Sequence, residues 1–354
     1  MYRHGYSEVL VKLLWGDCRL RIAKWRCGRD GLVVTAYPAG MDRSGLSPEV
    51  LKRCLDLNTR LPYREGHEAL SIQGLDVGLS RCERLSQRYG EIVVETLEQW
   101  VSDKQVLEAD PYELPKGYVI ELDGVMVMEQ DKPVEGQCEG REVKQALVHP
   151  LGDSSRKEHI AQALTSDDFE AWTQALLKQA GVKKQDYLIG IADGSAWIDE
   201  AFASLGVKQR ILDVFHATLY LDTVMKALGY DESTRQAQRA SWYRGDIDAR
   251  VWLKHHVEAK QHDTSTWPQQ ALSALSYLDK RLDQMDYWSF REKGYPIGSG
   301  AIEGANKSVV GARMKRSGMR WSKQGINRMA AMRSLQTTAN PWLDFHSTRL
   351  AAFN

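Results

Sequence analysis

Cysteine is scarce in this chain, and long apolar runs are missing. The five cysteines, Cys18, Cys27, Cys54, Cys82 and Cys138, are odd in number, scattered, and never spaced as CxxC. That pattern excludes a disulfide framework and gives no zinc site of closely paired thiolates. No stretch of eighteen apolar residues occurs, so no membrane-spanning helix is expected. The opening MYRHGYSEVLVKLLWGDC is interrupted by Lys12 and lacks a small-residue cleavage site, so a secretory signal is not expected either. The reading is a soluble cytoplasmic protein with no membrane partner.

Net charge is also lacking: 47 Lys and Arg balance 47 Asp and Glu. The balance is uneven along the chain. No acid stands between Gly304 and Trp342, a stretch carrying Lys307, Arg313, Lys315, Arg316, Arg320, Lys323, Arg328 and Arg333. Arg19, Arg21, Lys24, Arg26 and Arg29 crowd the start. Two basic ends around a more acidic centre suit a polyanion such as DNA, although a solvated charged face would look the same.

At 354 residues the chain exceeds one typical domain. Residues 1–45 read as a small β-rich unit: RLRIAKWRC alternates, and GLVVTAYP is β-branched. Residues 46–105 read as a helical region, opened by Ser47-Pro48-Glu49 as a cap signal. Within it, a helix over 63–70, a turn at Gly74 and a helix from about Val77 have helix-turn-helix spacing. Arg81, Arg84 and Arg88 would then be offered to a DNA groove. A plain helical hairpin fits the same pattern.

Residues 116–216 change character. YVIELDGVMVME reads as a strand, a tight Asp-Gly turn or bend, and a second strand; REVKQALVH as a third strand; 157–180 as an amphipathic helix; DYLIGIADG as a buried strand. SAWIDEAFASLG reads as a helix and KQRILDVFH as a last strand. Three strands followed by alternating helix and strand is the order of an RNase H-like α/β core. Residues 217–292 read as an all-helical insertion. Residues 293–340 read as a loop, KGYPIGSG, followed by a long helix from Ala301 or Ile302.

Three carboxylates stand out. Asp123 and Asp193 each close an apolar strand before a glycine, and Glu303 lies in the first turn of a helix after Gly-Ser-Gly. Each alone is ordinary, since Asp-Gly is a common turn and Glu suits a helix start. Together they can converge at a sheet edge, and charges closing apolar strands are costly to desolvate unless used. Hard cations need such oxygen ligands. Two Mg²⁺ (or Mn²⁺) ions about 4 Å apart can hold the attacking and leaving oxygens of a phosphodiester displacement. Asp213 and His216, in D-V-F-H, are accessory candidates that can support the site or contact DNA.

The stretch GYPIGSGAIEGANKSVVGARMKRSGMRWSKQGINRMAAMRS resembles the signature of ISKra-type bacterial insertion-sequence transposases, relatives of the Mutator-like DDE group. The matching pieces are the Gly-Ser-Gly loop, the following glutamate, Asn-Lys, Arg-Met-Lys and Gly-Met-Arg-Trp. LDGVMV resembles that family's first catalytic strand, IADGSAWI its second, and D-V-F-H its aspartate-or-cysteine, two residues, histidine motif. The resemblance implies a metal-dependent DDE transposase with Asp123, Asp193 and Glu303 as catalytic and metal-binding residues, acting on terminal repeats and target DNA as a dimer or larger assembly. The family's amino-terminal zinc-ribbon-like segment is not matched. Cys27 stands where a CxxC would begin, but Asp30 where its second cysteine would be, which leaves at most a degenerate remnant. A catalytically decayed or domesticated DNA-binding protein is the alternative. A structure-selective nuclease on the same core fits less well with the helical insertion and the basic C-terminal stretch.

Overall fold

The computed structural model describes residues 1–37, 41, 44–102, 108, 112–130, 139–258 and 264–338. Cys138 and Trp342 lie outside them. The chain divides into two compact units. One comprises residues 1–97, 127–140 and 308–354, and the other residues 98–126 and 141–307.

The first unit opens with β1 (Tyr2–Leu13), β2 (Gly16–Arg26) and β3 (Val33–Thr35), an antiparallel three-stranded sheet in that order. Three helices follow: α1 (Pro48–Arg60), α2 (Tyr63–Ile72) and α3 (Leu79–Ser102). Ser47 caps α1, its hydroxyl accepting the Val50 N–H. Cys54 and Cys82 are buried free thiols, and burial pushes the Cys54 thiol up to about 12.

The second unit is built on a five-stranded sheet of β4 (Gly117–Met128), β5 (Gly140–Pro150), β6 (Glu158–Gln162), β7 (Tyr187–Ala192) and β8 (Gln209–Leu212), in the order β6-β5-β4-β7-β8. β4–β7 and β7–β8 pair in parallel and β5–β6 antiparallel, so the sheet is mixed. Helices α4 (Ser166–Gln179) and α5 (Ala196–Ser204) alternate with its later strands. The arrangement is compatible with the RNase H-like order expected from the sequence.

After β8 come α6 (Val214–Ala227), α7 (Glu232–Tyr243), α8 (Ala249–Leu253), α9 (Gln269–Asp279) and α10 (Tyr287–Glu292). Their apolar faces share one core with the sheet: Ile189, Ile191 and Leu212 are buried together with Trp242, Leu278 and Tyr287. The helical stretch is thus part of the second unit's core, and the Tyr287 hydroxyl donates to the Leu212 carbonyl at 2.9 Å.

Three local expectations are corrected. Residues 118–129 do not turn at Asp-Gly. Gly124 stays in β4, where the Glu142 side chain lies against the place a Cβ would take. Residues 158–162 form β6, paired with β5, and helix begins only at Ser166, capped by Thr165. The helix expected from residue 301 is broken into α11 (Gly300–Ala305), a π-helical stretch (Asn306–Gly311), α12 (Ala312–Met314) and, past a turn with Gly318 at φ +74°, α13 (Lys323–Leu335).

Candidate active site

Strand register places the two aspartates. β4 and β7 pair from Gly117↔Tyr187 to Glu121↔Ile191. Asp123 and Asp193 each lie two residues past the last pair, Asp123 further along β4 and Asp193 just after β7 ends. Asp123 therefore lies within β4, not at its end, but just past the point where pairing with β7 stops. Its Oδ1 accepts the Gly124 N–H at 2.7 Å. Burial raises its pKa, bonds from Gly124 and Asn306 oppose this, and the charge of Asp193 raises it further.

Asp193 begins the turn after β7. Its Oδ1 accepts from the Ser195 N–H (2.9 Å) and hydroxyl (2.8 Å). Gly194 has φ +79°, and a Cβ there would meet the Tyr277 hydroxyl and Arg281 Nε within 2.6 Å. The crowding comes from α9 and its end: Tyr277 donates to the Asp193 carbonyl, and Arg281 Nη2 to the Gly194 carbonyl at 2.7 Å. The helical stretch thus clamps the turn that carries the second aspartate.

Glu303 sits in the first turn of α11, half-buried. Two buried carboxylates hold the approach to it. Glu121, 2 % exposed in β4, accepts the Ile302 N–H at 2.7 Å. Its other oxygen lies 3.9 Å from His149 Nε2. Burial pulls the His149 pKa down, but the nearby Glu121 carboxylate and the bond to the Pro150 carbonyl outweigh this and raise it. Asp213, fully buried, accepts the Ser299 N–H (2.6 Å) and hydroxyl (2.8 Å) on Oδ2, fixing the Gly-Ser-Gly loop.

Asp213 also caps α6. Its Oδ1 accepts the His216 N–H at 2.9 Å and faces ring Nδ1 at 3.1 Å. Ligand atoms of Asp213, His216 and Glu303 lie within 4.8 Å of one another, as a metal site would require. Asp213 is nonetheless a poor ligand. Its four bonds fill the four acceptor positions of a carboxylate. Burial would raise its pKa, but bonds from His216 and Ser299 hold it below the ordinary range. The His216 pKa is raised, first by the bond to Asp213, against burial, with the charges of Asp213, Asp193 and Asp123 adding to it. With Nδ1 directed at Asp213, Nε2 is the ring nitrogen left for a ligand.

The fourth element is Asn306, three residues past Glu303. Its Nδ2 donates to Asp123 Oδ2, and its Oδ1 accepts from Gln145 Nε2 on β5. Asp123, Asp193, Asp213, His216 and Glu303 are thereby gathered in one compact unit. Glu121, Asn306 and Gln145 were not singled out as site residues from sequence. Glu121 left a signal there, as a charge between Ile120 and Leu122 in an otherwise apolar run, and Asn306 stood in the Asn-Lys piece of the signature; Gln145 left none.

The basic candidates fare differently. Arg313 is 2 % exposed, lies over the rings of Tyr63 and Trp321, and donates Nε to the Asn58 carbonyl at 3.1 Å. Burial pulls it down to about 10, still charged at neutral pH. It is a core residue, not one held out to DNA. Arg316 donates Nη1 to both oxygens of Glu65 (2.9 and 2.8 Å), so an acid distant in sequence neutralises it. Lys307, Lys315 and Arg320 are exposed, as are Arg84 and Arg88 on α3, while Arg81 is half-buried. No helix among the described residues is long and apolar enough to cross a membrane.

The chain matches no family model and no curated protein. Among solved structures it is similar to the "Drosophila P element transposase strand transfer complex", at 13% identity and TM-score 0.30, over 89% of this chain and 84% of that one. A TM-score that low is too small to carry fold or function from one chain to the other.

Proposed function

We propose that the chain is a DNA transposase of the insertion-sequence kind its C-terminal signature resembles, with Asp123, Asp193 and Glu303 as its metal-binding carboxylates. The observation that supports the reading is Asn306, which joins Asp123 to the helical run bearing Glu303, while the parallel pairing of β4 with β7 ends two residues short of both Asp123 and Asp193. Only oxygen donors are offered by this set, which suits Mg²⁺ or Mn²⁺ rather than a softer metal. When bound, such ions supply charge neutralisation at the scissile phosphate and favour ionisation of the attacking water or 3′ hydroxyl.

The chain's own residues supply the rest. Ser195 holds Asp193, and Asn306 holds Asp123. Glu121 and Asp213 fix the turn that sets Glu303. His216, its ring steadied by Asp213, offers positive charge to a phosphate near the carboxylates. Lys307, Lys315, Arg320, Arg84 and Arg88 are the exposed cations for the DNA backbone. Duplex element ends and target DNA are the substrates, and two ends call for at least two protomers.

The test is cleavage of duplex DNA carrying the element ends, with Mg²⁺, by the full chain and by Glu303→Gln. The variant should fold and bind DNA but lose at least ~100-fold in cleavage rate, as expected when a metal-positioning ligand is lost. Near wild-type cutting by Glu303→Gln would remove it from the carboxylate set.

A further inference from the structure

Asn306 stands between two partners with opposite demands. Its Nδ2 donates to Asp123 Oδ2, and its Oδ1 accepts from Gln145 Nε2. Gln145 is fully buried on β5, and its Oε1 has no hydrogen-bond partner. A buried acceptor left unpaired is costly, and most such groups find a partner. Turning the Gln145 amide would present Oε1 to Asn306. Asn306 would then turn as well, giving its N–H to Gln145 and its carbonyl oxygen to Asp123. Oxygen would face an ionised carboxylate, which repels. The orphaned Oε1 therefore marks the only arrangement of the two amides in which Asp123 receives a donor.

We infer that Gln145 and Asn306 are positioning residues for the metal-binding carboxylates: a two-amide relay that aims Asp123 and ties it to Glu303. The inference rests on the carboxylate reading above and specifies how that site is kept in shape. Asn306 lies three residues beyond Glu303, so both project from neighbouring positions of one helical turn. Through it the first carboxylate on β4, the third on α11 and the adjacent strand β5 are joined by two hydrogen bonds. An asparagine suits this place because it donates and accepts through one planar group. A carboxylate would only accept, and a lysine or arginine would bring a charge that competes with a cation.

The test is Mn²⁺ binding to the full chain, followed by electron paramagnetic resonance without DNA. Gln145→Glu removes the donor and forces Asn306 to turn its oxygen towards Asp123. Asn306→Ala removes the link altogether. Each should weaken Mn²⁺ binding by about tenfold or more, the loss typical when an outer partner of a metal ligand is removed. Gln145→Met guards against misfolding from a buried charge. It removes the orphaned oxygen along with the donor, so a merely structural role predicts unchanged or higher stability and unchanged Mn²⁺ affinity. The relay predicts weaker Mn²⁺ binding in a folded protein. Wild-type Mn²⁺ affinity in folded Gln145→Met or Asn306→Ala overturns the relay. Asp123→Asn separates the two levels: if it binds Mn²⁺ as the wild type does, the carboxylate reading is wrong and the relay falls with it.

Discussion

Both oxygens of Asp213 are engaged, one by the start of α6 and the other by the loop before α11. Asp213→Asn would set an amide N–H against the Ser299 or His216 N–H, leaving a buried donor unpaired. A loss on the order of 3 kcal/mol is expected, read from denaturant unfolding at neutral pH. The pH dependence has two limbs. The folded pKa of Asp213 is depressed, so its contribution is full above the ordinary carboxylate value of about 3.9 and is lost as pH falls through the lower folded value. The folded pKa of His216 is raised, so its contribution is full below about 6.5 and is lost as pH rises through the higher folded value. The stability difference between wild type and His216→Phe should therefore shrink on going from pH 6 to alkaline pH, and a flat difference would count against the pair. Arg313 permits a similar separation. Arg313→Met keeps volume and removes a buried charge, so stability should change by less than about 1.5 kcal/mol. Arg313→Ala should cost on the order of 3 kcal/mol. DNA affinity unchanged in Arg313→Met would fit the core placement; a large loss would return Arg313 to the interface.

Among the elements, α3 and α13 approach so closely that Gly90 has no room for a side chain. A Cβ there would lie 2.7 Å from Arg328 Cβ and 3.2 Å from its backbone. Alanine would gain about 1 kcal/mol of helix propensity. Overpacking against backbone costs about 1–3 kcal/mol, so Gly90→Ala should be net destabilising by thermal unfolding. The same pair shows what sequence could and could not reveal. Arg328 reaches Gln87 and Glu91 on α3. The acid-free run after Glu303 thus finds its acids on helices far earlier in the chain, and its charge could not be weighed from local composition. Asp123, Asp193 and Asp213 were legible because each closes or interrupts a strongly apolar strand. β6 was missed because Ile160 and Leu164 also fit a helical stripe continuing into Phe169, and only pairing with β5 decides between the two. Gln145 gave no sign and Asn306 only its place in the Asn-Lys piece of the signature, since an amide relay depends on partners that only the fold brings together. Among exposed elements, charge reversal at Lys315 and Arg320 should lower the salt slope of DNA binding by about 0.9 for each phosphate no longer neutralised. Reversal at Arg316, already neutralised by Glu65, should lower it less. Equal slopes for all three would remove the distinction.

At the scale of the whole molecule, the division into units does not follow the chain. The first unit draws on residues 1–97, 127–140 and 308–354. Removing residues 1–105 would therefore not release an intact core. It would strip α1 to α3 from Arg313 and α13, where Asn58 and Gly90 now pack. Such a truncation is expected to be insoluble or highly protease-sensitive, as judged by limited proteolysis against the full chain. A well-folded truncated protein would show that the C-terminal segment needs no amino-terminal partner.

That discontinuity has a consequence during synthesis. Thr59 in α1 meets Gln336, beyond the end of α13. Helix α1 leaves the ribosome roughly 280 residues before the segment that covers it, a wait of roughly fifteen to fifty-five seconds at ~5–20 residues per second. All five carboxylate and histidine residues of the candidate site have by then been made. The nascent chain thus holds every residue of the candidate site while its earliest-made helices are still uncovered and most open to chaperones.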